Sequence, residues 1–382
     1  MRVLIVGSGI AGQTLACALS RHGIGCDMVE IKPVFDIAGA GLYVQGPGLR
    51  AFLYIGVVQA IVSRGEPLPD DYSHACDSAG NVLARPSYPR IAGAAIPAVV
   101  PIRRKVLHEI LADAVAAAGV DVRMGVTVES IDDSGARAAV RFTDGSRGEY
   151  DLVVGADGIR SRVRGLVFGA LEPSFSGYAN WRVILPRPEG LLRTTWMMGR
   201  GNSFGIIPIA GDTVYIGGVS KEPGNPRYER DRLPALCREK FAGFGGLAPA
   251  LLAQVTDPAQ VVYTPIEEVL MPAPWHRGRV VVLGDAAHAG TPFWAMGASM
   301  AIEDAVLLAM LLERGGPVTS ILGDWMKRRL ERCLFVQKGS METGRRSHDE
   351  AAEAIEARDR YIRTMMEADV AKRFARLAEP FA

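Results

Sequence analysis

The sequence predicts an α/β fold in which a domain built on parallel strands is interleaved with an antiparallel-sheet domain. Two short apolar runs rich in β-branched residues, Arg2–Val6 and residues 279–283, are typical of buried parallel strands although most of the chain lies between them. Residues 175–269 change to short strands typical of an antiparallel sheet. From Asp324 to the C-terminus the chain is highly charged and has a helical pattern.

Composition places the chain among ordinary globular proteins and gives no sign of a nucleic-acid partner. At 382 residues, the length suggests about two or three domains. A content of 48% hydrophobic and 22% charged residues is typical of a soluble protein, and the formal net charge is only +1. No apolar run approaches the ~20 residues of a membrane span, and the first residues favour a strand over a signal peptide.

The cysteines argue against a metal site. There are five of them, an odd number, and none has the CxxC spacing. Neither a zinc site nor a disulfide framework is therefore indicated. We expect no metal and a reducing, cytoplasmic location.

The N-terminal strand leads into a glycine-rich turn and then a helix. Gly7, Gly9 and Gly12 follow Arg2–Val6 at GxGxxG spacing, and residues 13–21 have helical character. In such a unit the first glycine permits the tight turn and the second lets the backbone approach a pyrophosphate. The third lets the helix pack on the strand. The phosphate would lie at the helix N-terminus, where unpaired N–H groups and the helix dipole favour an anion.

An acidic residue completes this nucleotide-binding unit. Residues 26–30 form a second predicted strand that ends in Glu30, which lies 30 − 12 = 18 residues past Gly12. This distance is near the ~20 residues expected for a carboxylate that binds a ribose. The alternative, a glycine-rich turn that only packs, does not require the acid. The pattern therefore favours a dinucleotide site that includes Ile10 and Ala11 at the start of the helix.

Periodicity and turn signals place further elements. Helices are predicted for residues 49–64, 102–119 and 297–314. Strands are predicted for residues 122–131, 138–142, 151–154, 180–185, 203–209 and 212–219. Glycine and proline residues predict a loop at residues 39–48.

The interleaved order of these elements predicts a discontinuous nucleotide-binding domain. We assign it residues 1–75, 100–172 and 271–312, with residues 76–99 and 173–270 as the sheet domain. Residues 313–382 form the C-terminal helical region. Ligands of such folds bind at the carboxyl ends of parallel strands and often between domains.

Two more strands run into turns that contain an aspartate. Residues 280–285 end in Asp285 and lead through Ala286-Ala287-His288 towards Gly297, and residues 152–157 end in Asp157. An aspartate there can accept a hydrogen bond from a sugar or ribityl hydroxyl, and the N–H groups around Gly297 can face an electron-rich ring edge. With the N-terminal turn, these segments suit a long dinucleotide held at both ends, as FAD would be.

The three segments resemble, in order and spacing, those of the class A FAD-dependent aromatic hydroxylases. This is the para-hydroxybenzoate-hydroxylase-like superfamily, and the closer resemblance is to its salicylate, urate and hydroxypyridine hydroxylase branch. The likeness covers nearly the whole chain. It implies a Rossmann-like FAD-binding domain interleaved with an antiparallel-sheet substrate domain. It also implies a monooxygenase that consumes NADH or NADPH and hydroxylates a small aromatic or heteroaromatic substrate. In this family O₂ reacts through a flavin C4a-hydroperoxide. The resemblance further implies a monomer or homodimer.

The resemblance also implies the FAD contacts. They are, in chain order, Gly7, Gly9, Ile10, Ala11, Gly12, Glu30, Arg104, Val128, Asp157, Asp285, Gly297 and Ala298. Glu30 would bind the adenosine ribose, and the backbone of Val128 would meet the adenine. Asp157 is similar to an aspartate linked to both FAD and NAD(P)H binding. Asp285 would bind the ribityl chain or the pyrophosphate, and Gly297 with Ala298 would meet the isoalloxazine ring.

Two tyrosines align with positions that line the substrate pocket in the same branch. A phenol at Tyr43 or Tyr215 could bond a substrate hydroxyl or assist its deprotonation, whereas the alternative is a strand tyrosine that only packs. Ser203 stands where the urate-type enzymes carry an arginine, which argues against an anionic purine. His288 more plausibly orients its turn than acts as a base.

The loop before Gly297 departs from the family pattern. Ala295-Met296-Gly297 replaces the usual Gly-Gln-Gly, and Phe293 and Trp294 precede it as candidate pocket walls. This change is the one support for a non-catalytic flavin-binding protein. Alternatives on the same scaffold are Baeyer–Villiger oxygenation, epoxidation and halogenation, although the WxWxIP segment of the halogenases is missing. The charged tail, with Arg345, Arg346 and residues 349–360, is expected to be a solvated helix face.

Overall fold

The computed structural model describes residues 1–35 and 41–380. It confirms an α/β fold with a helical C-terminus. The strands are β1 (Arg2–Val6), β2 (Gly25–Glu30), β3 (Gly41–Gln45), β4 (His74–Asp77), β5 (Val82–Ala84), β6 (Val99–Arg103), β7 (Val122–Met124), β8 (Val128–Asp132), β9 (Ala138–Phe142), β10 (Arg147–Tyr150), β11 (Leu152–Gly155), β12 (Ser174–Pro186), β13 (Thr195–Met198), β14 (Asn202–Ile209), β15 (Thr213–Lys221), β16 (Val262–Glu268), β17 (His276–Arg277) and β18 (Val280–Val282).

Twelve α-helices occur in the part of the chain that the structure describes. They are α1 (Ile10–Arg21), α2 (Gly46–Tyr54), α3 (Val58–Arg64), α4 (Arg104–Ala117), α5 (Arg162–Phe168), α6 (Leu233–Lys240), α7 (Ala248–Leu252), α8 (Asp285–His288), α9 (Gly297–Glu313), α10 (Val318–Ser347), α11 (Ala352–Thr364) and α12 (Met366–Ala378). None of the described helices combines the length and the hydropathy that crossing a bilayer requires.

A six-stranded sheet carries the nucleotide-binding motifs. Its order is β17-β18-β11-β1-β2-β7, and every pair is parallel except β17–β18. Val3 pairs with Leu152 on one side and with Cys26 on the other. The apolar side chains of the central strands are fully buried, which explains their β-branched composition. Because the strands are parallel, their carboxyl ends meet at one edge of the sheet.

A seven-stranded sheet forms the second layer. Its order is β16-β12-β15-β14-β13-β4-β5, and the neighbours are antiparallel except β13 and β4. Trp181, Phe204 and Ile216 on one face pack into a core with residues of α6 and α7. Because side chains alternate along a strand, Arg182 and Tyr215 occupy the opposite face. The predicted antiparallel region is thus confirmed.

Four predictions about element boundaries are wrong. The helix predicted for residues 49–64 is split into α2 and α3 by a turn at Gly56, which has φ 82°. Residues 102 and 103 end strand β6, so that helix begins only at Arg104. The strand predicted for residues 122–131 is broken at Gly125, which has φ 74°. The C-terminal helix begins at Val318, ahead of Asp324, and the helical tail is interrupted before α11.

The loop predicted for residues 39–48 is mostly regular structure. Residues 41–45 form β3, which pairs antiparallel with β6, and α2 begins at Gly46. Tertiary pairing with a distant strand outweighs the glycine content here. Residues 39 and 40 lie outside the described residues.

The prediction that Arg345, Arg346 and residues 349–360 form a solvated face holds for most of them, and Arg358 is the buried exception. Arg345 and Arg346 are exposed, but Arg358 is only 4% exposed and its guanidinium donates to the Gly199 and Met198 carbonyls, at 2.5 and 3.3 Å. Helix α12 buries Val370, Phe374 and Leu377 against the main core. The tail therefore packs across the gap between the two sheets.

A buried ion-pair cluster joins α9, α10 and α12. Arg329 donates to Asp304 Oδ1 at 2.6 Å and to Glu303 Oε2 at 3.0 Å, and all three side chains are inaccessible. Glu303 also accepts from Arg332 at 2.7 Å. Arg332 donates onwards to the Leu377 carbonyl at 2.7 Å. The cluster therefore fixes the end of the tail to the helix that starts at Gly297.

Candidate active site

A cavity of about 860 Å³ lies between the two sheets and under the C-terminal helices. Gly9, Ala156 and Asp285 line it from the carboxyl ends of β1, β11 and β18. Side chains of the seven-stranded sheet and of the tail line the opposite side. Among them are Arg182, Trp196, Ser203, Ile207, Tyr215, His348, Ile362, Met366 and Arg373. The cavity therefore has the position expected for a ligand of this fold.

The N-terminus of α1 opens into this cavity. No side chain of the described residues caps the helix, and its first residues, Ile10 and Ala11, line the cavity with Gly9. A Cβ on Gly9 would meet nothing within 4 Å. Uncapped N–H groups at a helix N-terminus suit a phosphate. This end of the cavity therefore fits the pyrophosphate of a dinucleotide.

Gly7 and Gly12 shape the turn instead of lining the cavity. Gly7 has φ 103°, and a Cβ on it would lie 2.5 Å from the carbonyl oxygen of Ala156. A Cβ on Gly12 would overlap the Gly7 carbonyl. Both positions therefore require glycine for the backbone to fold, as the motif predicts.

Glu30 is held in the same turn. Its carboxylate accepts from the Ser8 N–H at 2.8 Å and from the Lys32 N–H at 3.0 Å. Neither Glu30 nor the fully buried Val128 is found among the described residues that line the cavity. Their predicted contacts with ribose and adenine stay predictions.

The Asp157 carboxylate is hydrogen-bonded to neighbouring residues of the chain. It accepts from Ser161 Oγ at 2.5 Å and from the N–H groups of Arg162 and Val163 at 2.8 and 3.0 Å. Burial raises the pKa of Asp157. Within the described chain Asp157 does not line the cavity, whereas Ala156 and Gly158 do. Its direct effect is thus to hold this turn against α5.

Asp285 and the start of α9 face the cavity from the third turn. Asp285 lines the cavity, and its side chain has no hydrogen-bond partner among residues 1–35 and 41–380. Gly297 and Ala298 also line it, and no side chain caps α9. A second uncapped helix N-terminus therefore faces the same space as that of α1. Asp304 fixes the turn by accepting from the Gly284 N–H at 2.9 Å.

His288 lies behind the cavity wall and has a structural partner. Its Nε2 is 2.6 Å from Asp304 Oδ2, and its ring lies 5.1 Å from that of Trp275. Burial lowers the pKa of His288, but the neighbouring Cys333 and Asp304 outweigh burial and raise that pKa well above its usual value. In the described structure it does not line the cavity. Bonded to Asp304 behind the wall, His288 is placed to orient the turn.

Both candidate catalytic tyrosines line the cavity. The Tyr43 hydroxyl is buried near Thr194 and Trp196, but no hydrogen bond of ordinary geometry reaches it from the described residues. Burial raises the pKa of Tyr43 well above its usual value. Burial also raises the pKa of Tyr215, against a smaller opposite effect of Arg182. Both phenols are therefore neutral near pH 7 and suited to donate a hydrogen bond.

Ser203 is paired with a histidine that sequence analysis missed. His348 Nδ1 lies 2.9 Å from the Gly344 carbonyl, to which it must donate. Nε2 then accepts from Ser203 Oγ at 3.1 Å. Burial lowers the pKa of His348 to about 4. The pair presents a neutral polar edge where the urate-type enzymes are expected to present a cation.

The bulky loop before α9 is accommodated by helix α10. The Trp294 ring lies where a side chain on Gly339 would stand, and the Phe293 ring does the same at Gly344. Trp294 Nε1 donates to Thr343 Oγ1 at 2.8 Å. The two glycines thus make room for the aromatic side chains, and Phe293 and Trp294 form an apolar wall of the cavity.

The tail supplies the cavity residues that sequence analysis overlooked. His348, Arg358, Met366 and Arg373 all line the cavity, although the charged tail is predicted to be solvated. One signal was present in the sequence. Met366, Val370, Phe374 and Leu377 recur at the spacing of one helix face, which indicates a packed helix.

The parallel sheet with its two helix N-termini and the facing second sheet define a flavin-binding enzyme. A family model described as FAD binding domain matches residues 1–315. The chain therefore belongs to the class A FAD-dependent aromatic hydroxylases, as its motifs predict, and it is a flavoprotein monooxygenase.

Three known proteins illustrate the relationship. The chain is 31% identical over 372 residues to aurachin C monooxygenase/isomerase of Stigmatella aurantiaca, covering 96% of this chain and 94% of that protein. It is 32% identical over 369 residues to 2-heptyl-3-hydroxy-4(1H)-quinolone synthase of Pseudomonas aeruginosa, covering 95% and 94%. The structure of Klebsiella pneumoniae HpxO complexed with FAD and uric acid matches with a TM-score of 0.90 at 25% identity, covering 100% of this chain and 98% of that one.

Proposed function

We propose that this enzyme uses NADH or NADPH and O₂ to hydroxylate a mostly apolar aromatic or heteroaromatic ring that bears a hydroxyl or oxo group. The observation that carries the proposal is the pair of neutral phenols, Tyr43 and Tyr215, that face one cavity with apolar walls. Ser203 at the same sheet face carries no charge. The name of the relative at 32% identity, 2-heptyl-3-hydroxy-4(1H)-quinolone synthase, supports a quinolone as the ring to test first.

The described residues fit FAD. The N–H groups of Ile10 and Ala11 would hold its pyrophosphate, and Asp285 would accept from a ribityl hydroxyl. The N–H groups at Gly297 and Ala298 would face the ring edge. When bound, FAD supplies the redox chemistry and the activation of O₂. We retain residues 1–75, 100–172 and 271–312 as its domain.

The protein's own contribution is to orient the ring and exclude water. The Tyr215 hydroxyl donates to the ring oxygen and holds the ring in one orientation, because its raised pKa keeps the proton on the phenol. The Tyr43 hydroxyl is a second donor available to the substrate. Phe293 and Trp294, with the tail helices behind them, keep water from the reacting atoms.

Hydroxylation is favoured over the other reactions of this scaffold. Baeyer–Villiger oxygenation requires a ketone, and the two phenol donors alone would suit a ketone as well as a phenolic ring, so the shape of the cavity decides between them. The apolar aromatic walls at Phe293, Trp294 and Trp196 favour a flat ring. The altered loop no longer argues for a non-catalytic protein, since Gly339 and Gly344 accommodate its bulk.

A substrate panel tests the proposal. Purified FAD-loaded protein is mixed with phenols, pyridinols or quinolones, and NADH and NADPH consumption is recorded beside product mass. We expect a neutral hydroxyl- or oxo-bearing ring to accelerate nicotinamide oxidation and to gain one oxygen atom. Asp285→Ala protein, which should bind FAD more weakly, serves as a comparison variant at a low FAD concentration. Strong turnover of a dianionic aromatic, without activity on any neutral ring, would overturn the proposal.

A further inference from the structure

Arg373 is a cation in the cavity wall that makes no hydrogen bond to residues 1–35 or 41–380. It lies on α12, it is half-buried, and it lines the cavity. Its guanidinium lies 4.7 Å from the ring centroid of Trp294 and 5.3 Å from that of Phe374. Its Nε is buried, and no acceptor within the described ranges bonds it. Two aromatic faces thus fix the plane of a donor group whose N–H bonds are unused.

The nearby polar groups are engaged elsewhere. The Asp369 carboxylate accepts from the Tyr361 hydroxyl at 2.5 Å, and the Tyr88 hydroxyl lies 3.0 Å from Ser73 Oγ. Burial lowers the pKa of Arg373, against smaller opposite effects of Tyr88, Tyr361 and Asp369. A partly desolvated cation without a bonded acceptor is costly. Such a group is typical of a ligand site.

Two other arginines of the C-terminal helices, Arg358 and Arg332, differ in this respect. Arg358 donates to backbone carbonyl oxygens of the seven-stranded sheet, and Arg332 donates to Glu303 and to the end of α12. These hydrogen bonds from Arg358 and Arg332 help to hold the tail in place. Arg373 makes no comparable bond to the described protein, so its position calls for an acceptor from outside the chain.

Arg373 lies near the substrate end of the cavity. Trp294, on which it stacks, immediately precedes Ala295, and Ala295 packs in one cluster with Tyr43, Tyr88 and Tyr215. Tyr88 also contacts Phe374, the residue after Arg373, with ring centroids 5.7 Å apart. The cation and the two candidate phenol donors therefore belong to one continuous surface.

We propose that Arg373 determines specificity by donating hydrogen bonds to an oxygen of the aromatic substrate that carries partial or full negative charge. The oxygen is a ring oxo or phenolate group, so this inference rests on the proposed function. The C-terminal helix thereby supplies a cation that the sheet lacks at Ser203. A guanidinium bond to such an oxygen is charge-assisted, and its loss should weaken binding roughly 10- to 100-fold.

Binding of matched ring pairs to the FAD-loaded protein tests this assignment without turnover. The probes are 4-quinolone against quinoline, 1-naphthol against naphthalene, and 2-pyridone against pyridine, titrated by their effect on flavin absorbance. Arg373→Met keeps aliphatic contact with Trp294 but removes the charge, and Arg373→Lys keeps the charge but loses the planar donor fork. Arg363→Met is the matched control, since Arg363 is an exposed arginine on the neighbouring helix α11 and is not found among the described residues that line the cavity.

The expected result is selective. Wild-type protein and Arg363→Met should bind at least one oxygen-bearing ring roughly tenfold or more tightly than its oxygen-free partner. Arg373→Met should lose most of that preference, keeping only the part that Tyr215 supplies, while binding the oxygen-free ring unchanged, and Arg373→Lys should lose less of it. Equal FAD content and melting temperature establish that the variants are folded.

Two different outcomes would overturn two different statements. If the preference for the oxygen-bearing ring persists undiminished in both Arg373 variants, Arg373 does not bind the substrate oxygen and the assignment is wrong. If wild-type protein binds none of the three oxygen-bearing rings, the proposed function fails and this inference fails with it. Should one Arg373 variant not fold, the other gives the same comparison.

Discussion

The indole ring of Trp294 occupies the space in which a side chain on Gly339 would stand. A Cβ built on Gly339 would overlap the six-membered part of that ring, and the Trp294 Nε1–H bond to Thr343 holds the ring there. The loop before α9 and the long helix α10 are therefore matched to each other. This match turns an unusual flavin-side loop into a defined wall of the cavity.

Gly339→Ala should displace the Trp294 ring. The added methyl group leaves no room for the ring, and overpacking of this kind costs roughly 1–3 kcal/mol. The free energy of unfolding and the affinity for aromatic ligands should both fall. Gly323→Ala is the control on the same helix, because a Cβ there would meet nothing within 4 Å and alanine favours the helix. Equal stability of the two variants would show that the ring does not depend on Gly339.

Tyr215→Phe should uncouple hydroxylation from nicotinamide oxidation. The change keeps the ring volume and removes a buried hydroxyl, whose pKa burial raises above its usual value. Product formation should fall roughly 10²- to 10⁴-fold, while nicotinamide oxidation continues and hydrogen peroxide is released. The measurement is the ratio of hydroxylated product to nicotinamide consumed. Tyr72→Phe, outside the cavity lining, should keep the wild-type ratio, and an unchanged ratio in Tyr215→Phe would leave Tyr215 a packing residue.

Glu30→Ala and Asp285→Ala should each weaken FAD binding. Glu30 fixes the Ser8 N–H in the glycine-rich turn, and Asp285 presents a carboxylate to the cavity. Loss of a hydrogen bond to a charged group costs about 1.5–3 kcal/mol. The dissociation constant of FAD is measured by titration of the apoprotein. Asp324→Ala, at an exposed position on α10, serves as the control. Full FAD occupancy with unchanged affinity in both site variants would contradict the assignment.

The buried cluster around Arg329 should shape the pH dependence of stability. Despite burial, the charges of Arg329 and its neighbours lower the pKa of Glu303 and of Asp304 below 4.5 and 3.8. The stabilisation of the folded state by these two carboxylates is therefore present above those pH values and is lost as the pH falls. The raised pKa of His288 has the opposite sign, so its contribution is present below 6.5 and is lost as the pH rises.

Asp304→Asn should therefore destabilise the protein most between pH 4.5 and pH 6.5, where both contributions to stability are present. Leaving Arg329 and His288 without their carboxylate costs roughly 3–5 kcal/mol. Urea unfolding of wild type and variant is compared between pH 4.5 and 6.5 and at more acidic pH, where the difference should shrink. Asp324→Asn, whose exposed partner is Lys327, should stay within ~0.5 kcal/mol of wild type throughout. A difference that does not vary with pH would refute the linkage.

Local sequence patterns were enough to predict the parallel sheet, because each of its signals lies within one short segment of the chain. A β-branched run, a glycine-rich turn and an apolar helix face each fit within a few residues, as at Arg2–Val6 and Gly7. Boundaries failed where a distant partner decided them. Residues 41–45 became a strand because Val99–Arg103 lies beside them, and no pattern within the segment indicates that pairing.

The sequence by itself determined the flavin-binding motifs, the family and the alternation of the second sheet. Each of these follows from residue type at short spacing. Gly12 lies close to the Gly7 carbonyl in the glycine-rich turn, and Glu30 accepts a hydrogen bond from the Ser8 N–H of the same turn. Only the tertiary structure decided what closes the cavity. The tail is rich in charged residues, yet Arg358 is buried, where it pairs with Asp359 at 2.8 Å and donates to the carbonyl groups of Met198 and Gly199, which are distant in sequence. Because long-range acceptors determine whether a cation is solvated, paired or left for a ligand, sequence spacing alone did not distinguish Arg358 from Arg373.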